Sequence, residues 1–184
     1  MHDRHHRLSL LARITSILDR AGSRYALVGA LAMAAHGVSR STRDQDLFVV
    51  DSSCLNPLLW TELRSEGIEV EVRKGDLTDP LAGVVRFETA GQRSVDLVVG
   101  KFAWQRRALE RAKQVHVEGM DLPVVGVVDL ILLKLYAGGP QDAWDVEQLL
   151  EASHWISEVQ REIDQIPMPS DSQALWKRIL EARR

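Results

Sequence analysis

Cysteine is almost missing from this 184-residue chain, and the single Cys54 excludes an internal disulfide and suits a reducing cytoplasm. Long apolar runs are missing too. None approaches the roughly 20 residues of a membrane span, and no hydrophobic stretch follows a basic start as in a signal peptide. There is no excess of positive charge: the formal net charge of −3 argues against a generally basic nucleic-acid binder, though it leaves a local basic groove open. Repeats and low-complexity tracts are likewise absent. What is present is an ordinary globular composition, 45% hydrophobic and 27% charged, at a length that suits one domain with a substantial core. The opening "MHDRHHR" carries His2, His5 and His6, half of the six histidines, and reads as a frayed, solvated terminus rather than a chelating tract.

Apolar spacing predicts a helix over 7–20, a short buried strand "RYALVGA" ending at Gly29, and a helix over 30–37 that stops at Gly37. "DLFVV" reads as a second strand and "LNPLLWTELRSEG" as a helix ending at Gly67. "IEVEVR" alternates strictly, as a half-exposed strand does. Residues 83–100 read as two strands joined at Ala90-Gly91-Gln92, followed by a helix over about 102–114 and a short hairpin or extended connection, "VHVEGMDLPVVG". From Val127 onward the pattern is helical: 127–137, 140–152, 154–166 and 171–183, with Pro167 and Pro169 separating the last two. The expected class is α/β (α+β): a small mixed sheet flanked by helices, with a helical C-terminal segment. One domain is expected, with a core over about 7–125 and a helical part over 126–184.

The chemistry concentrates in "RSTRDQDLFVV", residues 40–50. Asp44 and Asp46 are two apart on a strand, so both point to one face, roughly 6.6 Å apart along the chain. Like charges so placed repel unless a cation sits between them. Asp96 stands alone in the apolar strand "SVDLVV", where an unpaired charge is costly; a salt bridge to Arg93 or Lys101 is the plain alternative. Three carboxylates on adjacent strands can hold two Mg²⁺ ions about 3.5–4 Å apart, the geometry of in-line nucleotidyl transfer. Mg²⁺ takes oxygen ligands and shares its shell with substrate phosphates. Upstream, Gly29 ends a strand and Ala30 begins a helix, whose free N–H groups suit a phosphate.

"VGA" at 28–30, a spacer of thirteen residues and "DQDL" at 44–47 resemble the signature of the nucleotidyltransferase superfamily related to DNA polymerase β. "HGVSRSTRDQD" resembles the fuller form in small bacterial members, including abortive-infection toxin nucleotidyltransferases. "DLILLKLYAGGPQDAWDVEQLL", residues 129–150, looks like their helical motif of a Lys followed by an Asp pair. The resemblance spans about residues 24–152. Two positions depart from it: Ala30 stands where the family has Gly or Ser, and Gln45 where an apolar residue is usual.

The resemblance implies Mg²⁺-dependent transfer of a nucleoside monophosphate from an NTP to an acceptor, with Mn²⁺ an alternative metal. Asp44 and Asp46 would hold both ions, and Asp96 would ligate the catalytic one and help deprotonate the attacking hydroxyl. Gly29 and Ala30 would cradle the triphosphate, Arg40 and Thr42 would face the nucleotide or support the acids, and Lys134 would neutralise the leaving pyrophosphate. Asp142 and Asp145 share a helix face, either solvated or positioning Lys134 or the acceptor. His36 reads as a helix-end residue. Two rivals stay open. One is a non-catalytic nucleotide-binding module, with Ala30 as a sign of decay. The other is a toxin acting on RNA or tRNA and paired with an antitoxin protein, for which the basic run Arg106, Arg107, Arg111 and Lys113 is the only support.

Overall fold

A computed structural model of the chain describes residues 9–77, 79–151 and 154–183; the His-rich opening lies outside them. Helix α1 (Leu10–Arg20) starts where the Ser9 hydroxyl accepts from the Ala12 N–H at 3.2 Å, and it buries Leu11, Ile14 and Leu18. Strand β1 (Tyr25–Leu27) runs straight into α2 (Gly29–Ala35), and β2 (Asp44–Val49) follows. After β2 come α3 (Thr61–Ser65), the strands β3 (Glu69–Lys74), β4 (Gly83–Glu88) and β5 (Ser94–Val99), then α4 (Ala103–Glu110) and the hairpin β6 (Lys113–Val117) and β7 (Met120–Val124). The chain ends in α5 (Val127–Ala137), α6 (Pro140–Glu151), α7 (Ile156–Ile163) and α8 (Ser170–Ala182).

All seven strands form one mixed sheet in the order β3-β4-β5-β2-β1-β7-β6. β2 lies at its centre, parallel to β5 and antiparallel to β1, and β1 in turn pairs parallel with β7. Leu47, Phe48, Val85, Phe87, Val95, Leu97 and Val99 fill the core beside Trp60, whose ring meets Phe87 edge-on at 4.8 Å. Helix α5 is apolar nearly all round because α6, α7 and α8 pack against it. No helix among the described residues is long and apolar enough to cross a membrane.

The expected α/β class is the one observed, but three boundaries differ, each for a local reason. The stretch expected as a helix over 55–67 is two 3₁₀ turns, Ser52–Leu55 and Pro57–Trp60, with only Thr61–Ser65 α-helical. The Asp51 and Asn56 side chains accept from the Ser53 and Leu58 N–H groups at 2.9 and 3.1 Å, closing turns that compete with the helix, and Pro57 supplies no N–H. Helix α4 stops at Glu110 rather than near 114, because Lys113 already pairs with Val124 in the β6–β7 hairpin. That hairpin turns on Glu118 (φ 52) and Gly119 (φ 80), the left-handed pair that matches strand twist. The second strand begins at Asp44, two residues earlier than expected, so both acids of the "DQD" run lie within it.

Candidate active site

The alternation of β2 decides where its polar residues go. Asp44, Asp46 and Phe48 share one face, and Gln45 points to the other. Parallel pairing sets Asp46 beside Asp96 and Asp44 beside Ser94, so the three acids of the sequence meet on one side of the sheet centre. Gln45 is buried on the opposite side, where its amide donates to Glu118 at 2.5 Å. A polar residue fits this otherwise apolar position because the β6–β7 turn brings Glu118 to meet it. Glu118 also accepts from Arg93.

Residue 29 can only be glycine here, for two reasons. Its φ is +59°, and an added Cβ would stand 1.9 Å from Asp46 Oδ2. The backbone of the β1–α2 junction is therefore pressed against the carboxylate, while the Val28 N–H bonds the Asp46 carbonyl at 3.0 Å. Ala30 is placed differently. The residue is buried and its methyl carries no polar atom, so the group it could offer a ligand is its N–H.

A cation that the sequence reading missed sits among the acids. Arg86, on β4, lies directly across from Asp96. Its Nη1 donates to Asp96 Oδ2 at 3.0 Å and its Nη2 to Asp44 Oδ1 at 3.3 Å, while Nε donates to Glu88 Oε1 at 2.6 Å. Ser94 Oγ donates to Asp44 as well. Neither Arg93 nor Lys101 pairs with Asp96: Arg93 is committed to Glu118, and Lys101 donates to the Asp76 and Leu77 carbonyls. The signal for Arg86 was in the sequence. Positions 86 and 96 are equidistant from Gly91, the middle of the turn that joins the two strands.

The carboxylates differ sharply in their surroundings. Asp46 is pushed up to about 6, first by burial and then by the charges of Asp96 and Asp44, against a smaller opposing pull from Arg40 and Lys134. Burial also raises Asp96, with Arg86 pulling it back. Among the described residues Asp46 joins no ion pair.

The opposite wall of the site comes from α5 and α6. Lys134 is 7% exposed and donates to Asp145, which is fully buried, and to Asp142 at 3.3 Å. Arg40 Nε lies 3.2 Å from Asp145 Oδ1, within ion-pair range but without hydrogen-bond alignment, and Gln141 donates to the same oxygen at 3.2 Å. Asp142 also accepts from the Gly139 N–H. Asp142 and Asp145 thus hold Lys134 instead of facing solvent together. A cavity of about 480 Å³ opens between the two walls, lined by the polar Arg40, Asp46, Lys134 and Asp142 and by apolar residues including Val98, Leu133 and Tyr136; Asp44 and Asp96 do not line it.

Two residues upstream of the acids have local partners. Thr42 faces a neighbouring groove, where its hydroxyl bonds the Asp44 N–H and carbonyl at 3.2 and 3.0 Å and so fixes the start of β2. His36 ends α2 with its Nε2 2.7 Å from the Val125 carbonyl. Half of the basic run Arg106, Arg107, Arg111 and Lys113 is used in ion pairs. Arg111 pairs with Asp129 and Glu162, and Arg107 stands 3.6 Å from Glu162.

The donor set fits a hard divalent cation in its chemistry: carboxylate oxygens only, with Asp46 outside every described ion pair. It is not preassembled, since no three acid, histidine or cysteine side chains among the described residues are grouped as metal ligands.

No protein-family model and no curated protein matches the sequence. Solved structures do resemble it. ANT(2'')-Ia in complex with adenylyl-2''-tobramycin has a TM-score of 0.51 at 14% identity, over 95% of this chain and 97% of that one. The solution structure of the antibiotic-resistance factor ANT(2'')-Ia gives the same score and identity over 95% and 91%. An antigenic nucleotidyltransferase-like protein from Paracoccidioides brasiliensis has a TM-score of 0.52 at 17% identity, over 93% and 85%. At these identities the likeness speaks for the fold alone, the α/β fold that these structures share with the chain.

Proposed function

We propose that the chain is a nucleotidyltransferase that moves a nucleoside monophosphate from an NTP to a hydroxyl of a small acceptor, using Mg²⁺. The observation that carries this reading is the meeting of Asp44, Asp46 and Asp96 on one sheet face, with Gly29 pressed against Asp46 and Lys134 and Arg40 lining the cavity that Asp46, alone of the three acids, also lines. Asp44, Asp46 and Asp96 would hold the metal, which when bound supplies Lewis-acid stabilisation of the phosphoryl oxygens.

The chain's own groups divide the remaining work. The acceptor oxygen bonds the α-phosphorus as the bond to the β-bridging oxygen breaks, and pyrophosphate leaves. Asp96, whose carboxyl is raised above the ordinary range, takes the hydroxyl proton. Lys134 and Arg40 face the negative charge that gathers on the departing phosphates, held in place by Asp145 and Asp142. The N–H groups of Gly29 and Ala30, at the start of α2, have no preceding turn to bond and can meet phosphate oxygens. Because Ala30 is buried and the group it offers is its N–H, its departure from Gly or Ser is compatible with activity.

A small acceptor is favoured over tRNA by two observations. Two of the four basic residues that would support RNA contact, Arg107 and Arg111, are tied up in ion pairs. The cavity lining includes apolar side chains such as Leu133, and the half-buried Tyr136 is suited to a ring. ANT(2'')-Ia, which shares the fold, has been captured with an adenylylated tobramycin. The test is incubation with each α-radiolabelled NTP, Mg²⁺ and, separately, a panel of polyhydroxyl small molecules and cell RNA. Label on a small molecule supports the reading. Label on RNA alone replaces the acceptor class, and the absence of any transfer favours a binding module.

A further inference from the structure

We propose that Arg86 is a built-in counter-cation of the acid site, which a divalent cation must displace from Asp44 and Asp96 before it can use their oxygens. The inference rests on the metal-site reading above and concerns what guards that site. Arg86 reaches across β5 and forks, Nη1 to Asp96 at 3.0 Å and Nη2 to Asp44 at 3.3 Å, with Ser94 Oγ also 3.3 Å from Nη2. A guanidinium is charged at every accessible pH and matches carboxylates with its planar set of donors. It therefore does for these two acids what an ion would do: it neutralises their repulsion. Asp46, the acid with no such partner, is left facing the cavity.

The arrangement also contains a route for release. Arg86 Nε is held by Glu88 at 2.6 Å, and Glu88, two residues along β4, lies on the same strand face. The guanidinium can give up both Nη contacts and still keep a carboxylate partner. Arg86 lines an open groove together with Asp44, Glu88, Arg43 and Ser94, so the guanidinium has room to shift toward Glu88. A purely structural arginine would need neither the second carboxylate nor the open groove.

Manganese binding measures this without any assay of turnover. Free Mn²⁺ is followed by electron paramagnetic resonance as it is titrated into the wild type, Arg86→Gln, Arg86→Lys and Asp46→Asn, with thermal melting run in parallel. The expected result is that Arg86→Gln binds Mn²⁺ about tenfold more tightly than the wild type or better, a decade corresponding to about 1.4 kcal/mol. Arg86→Lys, which keeps one charge but cannot fork, falls between them. Metal-free Arg86→Gln melts below the wild type and gains more from Mn²⁺. Equal or weaker Mn²⁺ binding by Arg86→Gln, with wild-type binding lost in Asp46→Asn, overturns the proposal and leaves the metal site standing. Binding that ignores Asp46→Asn, or no binding by any form, overturns both. If Arg86→Gln does not fold, Arg86→Lys decides: it must bind more tightly than the wild type.

Discussion

Gly29 and Asp46 come from separate elements and stand so close that a methyl group on residue 29 would lie 1.9 Å from Asp46 Oδ2. The contact fixes the β1–α2 backbone and the central acid against each other. It also explains why the chain spends a flexible residue at the start of a helix, where glycine costs entropy.

Gly29→Ala should therefore fail twice. The left-handed φ of +59° costs a non-glycine residue roughly 1–2 kcal/mol, and the methyl must push Asp46 from its place. A lower melting temperature together with a large loss of nucleotidyl transfer is expected. A variant as stable and as active as the wild type would show that the approach of Gly29 to Asp46 is incidental.

Asp46 sets the pH dependence of the metal-free protein. Its folded value of about 6 lies above the ordinary aspartate value, so the folded state holds this proton more tightly than the unfolded chain. Stability from this group is therefore fully present below the unfolded value and is lost as pH rises through about 6. In chelator, Asp46→Asn removes that loss and should melt above the wild type at pH 7, by on the order of 2–3 kcal/mol, with the gap closing toward pH 4. A variant less stable than the wild type at pH 7 would mean that the Asp46 charge is compensated in the fold.

How much of this was legible in the sequence depended on whether a feature is local. The strand carrying Asp44 and Asp46, the lone acid Asp96 and the strand-to-helix step at Gly29 are all set by short-range alternation and by residue type. Arg86 was missed because its role appears only when the 83–100 hairpin is folded about Gly91 and its partners are counted across. The burial of Asp145 was hidden for another reason: the face it shares with Asp142 is polar in sequence, and only the packing of α6 on α5 brings it against Lys134. The Pro57 region read as helical because its apolar spacing is helical. The Asp51 and Asn56 side chains overrode that pattern locally.

Asp145→Asn tests the second wall. Asp145 is fully buried between Lys134 and Arg40, and losing one member of a buried ion network costs about 3–5 kcal/mol, toward the low end here because Asp142 still faces Lys134. Urea unfolding should show that loss, and NTP affinity should fall with it as Lys134 loses its orientation. Unchanged unfolding would return Asp145 to the class of inert polar residues.

Cys54 should be a slow thiol. Burial pushes it up to about 11, so little thiolate exists at pH 8. Labelling by a thiol reagent should be slow in the folded protein and fast in urea. Rapid labelling of the folded chain would mean that the packing around Ser23, Cys54 and Trp60 opens readily.

The central claim is that Asp44, Asp46 and Asp96 form one reaction centre. Its most direct test is pyrophosphate release from each NTP with Mg²⁺ and the small-molecule acceptor panel, comparing the wild type with Asp46→Asn and Asp96→Asn of verified folding. The account predicts release by the wild type, none detectable from Asp46→Asn, and a slowed reaction with largely retained NTP binding in Asp96→Asn. Pyrophosphate released at the wild-type rate by either variant would contradict it.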